Sequence, residues 1–90
     1  MKSFVYILKC SDGSYYTGYT NNLENRIKKH NQGKASKYTR VRLPVSYVFT
    51  YECQDKATAL SLEYRIKQLS RSKKERIIDK SLDITSLLDK

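Results

Sequence analysis

The sequence lacks the patterns that mark several large classes of protein. It contains no stretch approaching the roughly 18 consecutive apolar residues of a membrane-spanning helix. The apolar run near its start, residues 4–8, is too short for the core of a secretory leader. No sequence period runs through the chain, which excludes collagen, coiled-coil and repeat architectures. We therefore expect a cytoplasmic protein that makes no membrane contact.

Cysteine and histidine are also scarce. The two cysteines, Cys10 and Cys53, lie in strand-like segments and are too few for a secreted disulfide scaffold. We expect free thiols in a reducing compartment and no disulfide-linked partner. The chain has no CxxC spacing and a single histidine, His30, which argues against a metal site built on cysteine.

Acidic residues are half as frequent as basic ones. Nine Asp and Glu face 18 Lys and Arg, which leaves a net charge of +9 on 90 residues. Such an excess predicts a polyanionic partner, nucleic acid above all, and the alternative is a basic surface that only keeps the protein soluble. The length predicts one domain over residues 1–90, with a core in 3–75 and a helical cover in 76–90. We assume a monomer.

The first two predicted elements are strands. Residues 3–10 and 14–20 are rich in β-branched and aromatic side chains and flank an Asp-Gly turn, which predicts a hairpin. With a two-residue loop, Tyr6 and Tyr16 point to opposite faces, whereas with a three-residue loop they share one face. The local sequence leaves both registers open. Gly18 interrupts the second strand and indicates either a bulge or a close approach to the backbone.

A helix and a basic segment are predicted next. Asn21, with Glu24 three residues later, predicts the helix start, and the helix runs to about Asn31. Its inward arc carries four residues at helical spacing: Leu23, Arg26, Ile27 and His30. Residues 34–44 have the pattern of an irregular basic loop.

The rest of the chain predicts one strand and two helices. Strand 45–53 alternates, with five side chains on one face: Val45, Tyr47, Phe49, Tyr51 and Cys53. Helices are predicted over 56–69 and 73–80, with caps at Asp55 and Ser72. The order is β-β-α-β-α-α. The fold class is α+β, an α/β sandwich with a small three-stranded antiparallel sheet flanked by helices.

Several residues could carry chemistry, and each also has a structural explanation. Tyrosine is a good strand residue, so Tyr6 and Tyr16 need no special role. Arg26 and His30 can sit at the core edge and at a helix C-terminus. Glu63, at the inner edge of the 56–69 helix, can pair with a lysine one turn on. The basic run with one aromatic is either a solvated loop or a phosphate-tracking surface; its residues are Lys34, Lys37, Tyr38, Arg40 and Arg42.

Together, the order and spacing of these residues resemble the pattern of one protein family. The elements are Val5-Tyr6-Ile7, then Tyr16-Thr17-Gly18, then Arg26 with His30 one turn later, then Glu63 after a third strand. This order is similar to the GIY-YIG nuclease superfamily, and most of all to its small stand-alone bacterial members, the YhbQ/YazA-like proteins. The resemblance covers about residues 3–75. Val5 replaces the first glycine of the family pattern and Thr17 its second isoleucine, and neither change removes a side chain that would do chemistry. A late asparagine that the superfamily often has is not located.

The resemblance implies hydrolysis of phosphodiester bonds in nucleic acid. DNA is the expected substrate, with branched or damaged DNA in repair or recombination as the expected setting. One divalent cation, Mg²⁺ or Mn²⁺, would be held by Glu63. Tyr6 would be the general base or proton relay, Tyr16 would orient water or phosphate, and Arg26 would stabilise the transition state. His30 would be a second proton handler or a phosphate contact. The DNA backbone would be gripped by Lys34, Lys37, Tyr38 and Arg40.

The resemblance also favours the three-residue hairpin loop, because both motif tyrosines would line one site. Two other functions stay open at this point. One is a nucleic-acid-binding module that does not cleave. The other is a basic protein that docks on an acidic protein partner or on the ribosome.

Overall fold

A computed structural model describes residues 2–88 of the chain. Its elements are strands and helices in the order β-β-α-α-β-α-α, followed by a short 3₁₀ turn. They are β1 (Ser3–Lys9), β2 (Tyr15–Thr20), α1 (Leu23–Asn31), α2 (Lys37–Arg40), β3 (Ser46–Cys53), α3 (Lys56–Lys67), α4 (Arg71–Ile78) and the turn Ile84–Leu87. The predicted fold class and element order are confirmed, with α2 as an addition. Residues 1 and 89–90 of the predicted domain lie outside the described part.

The three strands form one antiparallel sheet with β1 in its centre, in the order β2-β1-β3. Both faces of β1 are buried, which explains why its sequence is almost continuously apolar. Val5 and Ile7 pack in a cluster with α3, whereas Tyr6 and Leu8 pack in a second cluster beside α1. The α3 side of the first cluster consists of the predicted apolar stripe, Ala59, Leu62 and Ile66, with Leu69 beside it. The sheet is therefore covered on two sides.

The hairpin between β1 and β2 has the three-residue loop. Leu8 lies opposite Tyr16, and Tyr6 lies opposite Gly18. The loop ends on Gly13, whose φ of 85° is in the left-handed region that glycine tolerates. Tyr6 and Tyr16 consequently share the face that α1 covers, with their ring centroids 6.5 Å apart.

The predicted single face of β3 is wrong, because the strand contains a bulge. Leu8 pairs with Tyr47 and Ile7 pairs with Phe49, so Val48 has no partner residue on β1. One extra residue in a strand reverses the alternation on one side of the bulge. Tyr47 therefore packs beside Tyr6 and Leu8, as Val45 does, whereas Phe49, Tyr51 and Cys53 pack in the α3 cluster.

Two helix starts differ slightly from the prediction. Asp55 caps α3 as predicted, but the caps of α1 and α4 are Asn22 and Ser70 rather than Asn21 and Ser72. The Asn22 side chain accepts the backbone N–H of residue 25 at 3.0 Å. Asn21 and Asn22 are equally good capping residues by type, so the sequence alone does not show which of them caps the helix.

The predicted irregular loop at 34–44 contains the short helix α2, which is a second correction. Ser36 caps it by accepting the Tyr38 N–H at 3.1 Å. One helical turn is too short to show apolar periodicity, which is why the sequence pattern does not reveal it. The chain reaches α2 through Gly33, whose φ is 77°, directly after α1.

The cysteines are free thiols, as predicted, and both are buried: Cys10 and Cys53. Across residues 2–88, the longest apolar helices fall short of what crossing a membrane requires.

Gly18 is the point where Tyr6 comes closest to the backbone of β2. A Cβ at this position would lie 2.5 Å from the Tyr6 hydroxyl oxygen and 2.7 Å from the ring carbon that carries it. The close-approach interpretation of Gly18 is thus confirmed. A hydrogen in place of a side chain allows the Tyr6 hydroxyl to lie over the neighbouring strand.

We expect Gly18→Ala to destabilise the protein through this collision, by about 1–3 kcal/mol, as overpacking of a buried site does. Urea unfolding measures the change. The matched control is Gly13→Ala, which strains a positive φ but meets no atom within 4 Å. In a Tyr6→Leu background the cost of Gly18→Ala should fall while that of Gly13→Ala persists. An unchanged cost of Gly18→Ala in that background would contradict the explanation.

Candidate active site

A buried hydrogen bond between Tyr6 and His30 lies at the centre of the candidate site. The Tyr6 hydroxyl oxygen is 2.8 Å from His30 Nε2. Tyr6 is 1% exposed and His30 is not exposed at all. β1 supplies the tyrosine from the middle of the sheet, and the last turn of α1 supplies the histidine from its inward arc. The predicted i, i+4 placement of His30 after Arg26 is what brings it over β1.

A second hydrogen bond joins His30 to α2. His30 Nδ1 lies 2.9 Å from the Thr39 hydroxyl oxygen, which in turn is 3.4 Å from the Ser36 carbonyl oxygen. We assign the hydrogen of the ring to Nδ1, because Thr39 can then accept from His30 and donate to Ser36. Nε2 is then unprotonated and accepts the Tyr6 O–H. The side chains form a directed chain from Tyr6 to His30 to Thr39.

Burial keeps both members of the pair uncharged. It raises the pKa of Tyr6 well above its usual range, and Tyr16 and Tyr47 add to this, while the positive charge of Arg26 opposes it. Burial, with a smaller contribution from the positive charge of Arg26, lowers the pKa of His30 to about 4. At neutral pH the site therefore contains a phenol beside a neutral imidazole.

Tyr16 joins this pair to the surface. Its ring centroid is 5.3 Å from that of His30, and its ring stacks on Tyr38 of α2 at 6.0 Å and 23°. Tyr38 also carries the Arg42 guanidinium 3.9 Å above its ring, and Asp12 of the hairpin turn binds Arg42 at 3.0 Å. The Tyr38 ring thus already has two partners within the protein. Its contact with a nucleic-acid base stays a prediction.

Two charged residues border the aromatic cluster. Arg26 is half-buried on α1, and its charge acts on Tyr6 and His30. The negative charge of Glu63, on α3, also acts on Tyr6. The Glu63 side chain is only 18% exposed and pairs with Lys67 at 3.1 Å, which was its alternative structural explanation. The five predicted catalytic side chains therefore lie in one region, with the charged groups on its rim.

Glu63 is the residue whose chemistry suits a divalent cation. Its carboxylate already holds a cation, the ammonium group of Lys67. In the described range 2–88 no group of three or more His, Cys, Asp and Glu side chains could form a metal cage. Mg²⁺ commonly binds to proteins through one or two carboxylates, with water and substrate phosphate completing its shell. The residues present fit such a cation and do not fit a fully protein-bound one.

The predicted basic residues lie on the outside of α2 and of the segment before it. Lys34, Lys37 and Arg40 are exposed. None of them contacts the Tyr6–His30 pair in the described structure, and α2 reaches that pair through Thr39 instead. Their role as backbone contacts stays a prediction.

The sequence interpretation missed two residues of the site, Thr39 and Tyr47. Thr39 is fully buried against His30, and only the turn at Gly33 brings it there. Tyr47 lies with its ring centroid 5.4 Å from that of Tyr6, and its hydroxyl donates to the Leu23 carbonyl at 2.6 Å. Ser36 carried a capping signal for α2, but no local pattern pairs α2 with His30.

We expect Thr39→Val to leave the His30 Nδ1–H without an acceptor, at a cost of about 1–3 kcal/mol in folding free energy. The ring-nitrogen NMR shifts of His30 should show Nδ1 protonated in the wild type and a tautomer mixture in the variant. Thr39→Ser, which keeps the hydroxyl, should retain the wild-type shifts. Identical shifts in Thr39→Val would contradict the assigned role of Thr39.

The depressed pKa of His30 predicts a pH-dependent stability. Between pH 6.5, its ordinary pKa, and about 4, the unfolded chain binds a proton at His30 that the folded chain does not. The contribution of His30 to the free energy of unfolding should therefore be fully present above pH 6.5. It should decrease as the pH falls toward 4, by up to about 1.4 kcal/mol per pH unit. Urea unfolding across the window measures this. His30→Gln should show a flatter profile, and equal slopes in both proteins would refute the pKa assignment.

The chain is similar to a known domain family and to several small bacterial proteins. Residues 2–76 match the family described as the GIY-YIG catalytic domain. A UPF0213 protein of Bacillus cereus is 52% identical over 79 residues, covering 88% of this chain and 82% of that protein. The UPF0213 protein YazA of Bacillus subtilis is 49% identical over 76 residues, covering 84% of this chain and 77% of that protein.

A solved structure extends the similarity to the fold. The solution NMR structure of a UPF0213 protein from Bacillus halodurans superposes with a TM-score of 0.60 at 45% identity, covering 99% of this chain and 95% of that one. That of a protein from E. faecalis superposes with a TM-score of 0.62 at 35% identity, covering 89% and 85%. The chain therefore belongs to the GIY-YIG family, among its small bacterial UPF0213, YazA-like proteins.

Proposed function

We propose that this protein is a metal-dependent endonuclease that hydrolyses phosphodiester bonds in DNA. The observation that supports this most is the buried Tyr6–His30 hydrogen bond with the charge of Arg26 acting on both partners. A purely structural core would favour apolar side chains here, because buried polar groups are costly and need complete hydrogen bonding. Membership of the GIY-YIG family supports the same reaction class.

Tyr6 acts as a proton relay in this proposal. Its raised pKa makes a free phenolate a poor resting state. The Tyr6 hydroxyl oxygen instead accepts a proton from the attacking water while the hydroxyl's own proton passes to His30 Nε2. The water oxygen forms the new bond to phosphorus, and the bond from phosphorus to the leaving oxygen breaks. His30 ends the step as an imidazolium that still donates Nδ1–H to Thr39.

Arg26 binds the phosphate that is being attacked. Its planar guanidinium suits the non-bridging oxygens of a pentavalent transition state. An anion bound there also offsets the positive charge that helps to lower the pKa of His30. Substrate binding thereby makes His30 a better proton acceptor at the moment when one is needed. Tyr16, which is half-buried, admits the water or phosphate from the solvent side and orients it.

Glu63 binds the divalent cation in this proposal, in place of its present partner Lys67. A bound Mg²⁺ or Mn²⁺ would neutralise negative charge at the scissile phosphate and on the leaving oxygen. Glu63 on α3 and Arg26 on α1 both act electrostatically on Tyr6, which supports an anionic and a cationic group beside the same aromatic cluster. The phosphodiester would lie between them.

One observation favours a second function, binding to nucleic acid without cleavage. Tyr6 and His30 are almost closed to solvent, so an attacking water must first gain entry to the relay. If that entry stays closed on the substrate, the same basic surface binds DNA and leaves it intact.

Incubation with single-stranded, duplex and branched DNA in Mg²⁺ or Mn²⁺ tests the proposal. We expect cleavage that EDTA abolishes. Tyr6→Phe removes the relayed proton, Arg26→Ala the transition-state contact and Glu63→Ala the cation ligand, so each should reduce the cleavage rate by at least about 100-fold while binding is largely retained.

The matched control is Glu52→Ala. Glu52 lies on the edge strand β3, and its exposed carboxylate pairs with Lys2. This variant should cleave like the wild type. Cleavage by Glu63→Ala at the wild-type rate would sink the cation assignment. Retarded but intact DNA under every metal condition would favour the binding function instead.

A further inference from the structure

A groove borders the candidate site on its α3–α4 side. It has a volume of about 360 Å³ and runs between β2, α2 and these two helices. Tyr16 lines it and also contacts His30, so the groove begins at the proposed reaction centre. Its lining consists of three tyrosines, one threonine and two lysines: Tyr15, Tyr16, Tyr38, Thr17, Lys67 and Lys74.

Lys74 gives this groove a positive charge that no carboxylate of residues 2–88 neutralises. Along α3 and α4, Lys67 pairs with Glu63 and Arg71 pairs with Glu75. Lys74 is half-buried and forms no ion pair with any residue in that range. Its ammonium group is therefore available to an anion that enters the groove.

The tyrosines make the groove suitable for more than a free anion. Rings of Tyr15, Tyr16 and Tyr38 line it, and Arg71 over Tyr15 at 4.4 Å fixes one of them. Aromatic side chains beside a cation are typical of sites that bind one strand of nucleic acid, where each base or sugar contacts a ring and each phosphate a positive charge. The volume is near the lower end of small-ligand pockets, which is enough for a single nucleotide.

We propose that this groove binds one unpaired nucleotide of the substrate strand, next to the phosphodiester that is attacked, with its phosphate on Lys74. The assignment rests on the proposed function for the position of the strand at Tyr16. It adds a binding surface on α4 to the basic residues of α2 and implies that the strand is single or frayed on this side of the site.

The test compares Lys74→Ala with Lys73→Ala. Both remove one positive charge from α4, but Lys73 is exposed and does not line the groove. Binding of a single-stranded oligonucleotide is measured in EDTA over a range of salt concentrations, so that cleavage does not contribute. Loss of one phosphate contact should make the log–log salt slope shallower by about 0.7 for Lys74→Ala. Lys73→Ala should change the slope far less, and Lys74→Arg should restore it.

Each outcome decides between interpretations. Equal effects of the two alanine variants would mean that only the overall charge matters, and would contradict binding of a nucleotide in the groove. A slope change for Lys74→Ala on duplex DNA but not on single strands would contradict the claim that the bound nucleotide is unpaired. A specific effect of Lys74 in a protein that never cleaves would support the groove and reject the proposed nuclease function. Far-ultraviolet circular dichroism of all variants verifies that each is folded.

Discussion

The hydrogen bond between Tyr6 and His30 is the constraint on which the rest of the site depends. It crosses from the central strand to the first helix, and both partners are buried. Three independent features must agree for it to form: the three-residue hairpin loop that turns Tyr6 toward α1, the missing side chain at Gly18, and the helical spacing that brings His30 inward. Because a buried polar pair is costly unless complete, a failure in any of the three would leave an unsatisfied donor or acceptor in the core.

The charges around this pair are arranged by sign. Arg26 lies on one helix, and the carboxylate of Glu63 lies on another with Lys67 as its partner. Two of the seven Lys and Arg residues of α3 and α4, Lys67 and Arg71, pair with a carboxylate of their own helix. The others form no ion pair within residues 2–88 and are free to meet a polyanion. Lys74 stands out among them because it lines the groove beside Tyr16.

Most of the fold and the candidate site could be predicted from the sequence, but the contacts between distant segments could not. Periodicity placed Arg26 and His30 on the inner side of α1, since that depends on helical geometry alone. The hairpin register required information from outside the hairpin, because both loops are common. The Thr39 contact depends on how the chain turns after α1, and one helical turn leaves no periodic trace. Tyr47 was grouped on one face with Phe49, Tyr51 and Cys53 because an alternating pattern cannot show where a strand gains a residue.

That extra residue in β3 has a consequence for how the site can vary. Val48 itself touches none of the proposed catalytic side chains, yet its presence decides that Tyr47 lies next to Tyr6 while Phe49 faces the opposite layer. The placement is encoded in the length of the strand and not in the identity of a side chain. Substitution at this point is therefore a mild event, whereas the loss or gain of a single codon in β3 would rotate one end of the strand by half a turn and remove a wall of the site.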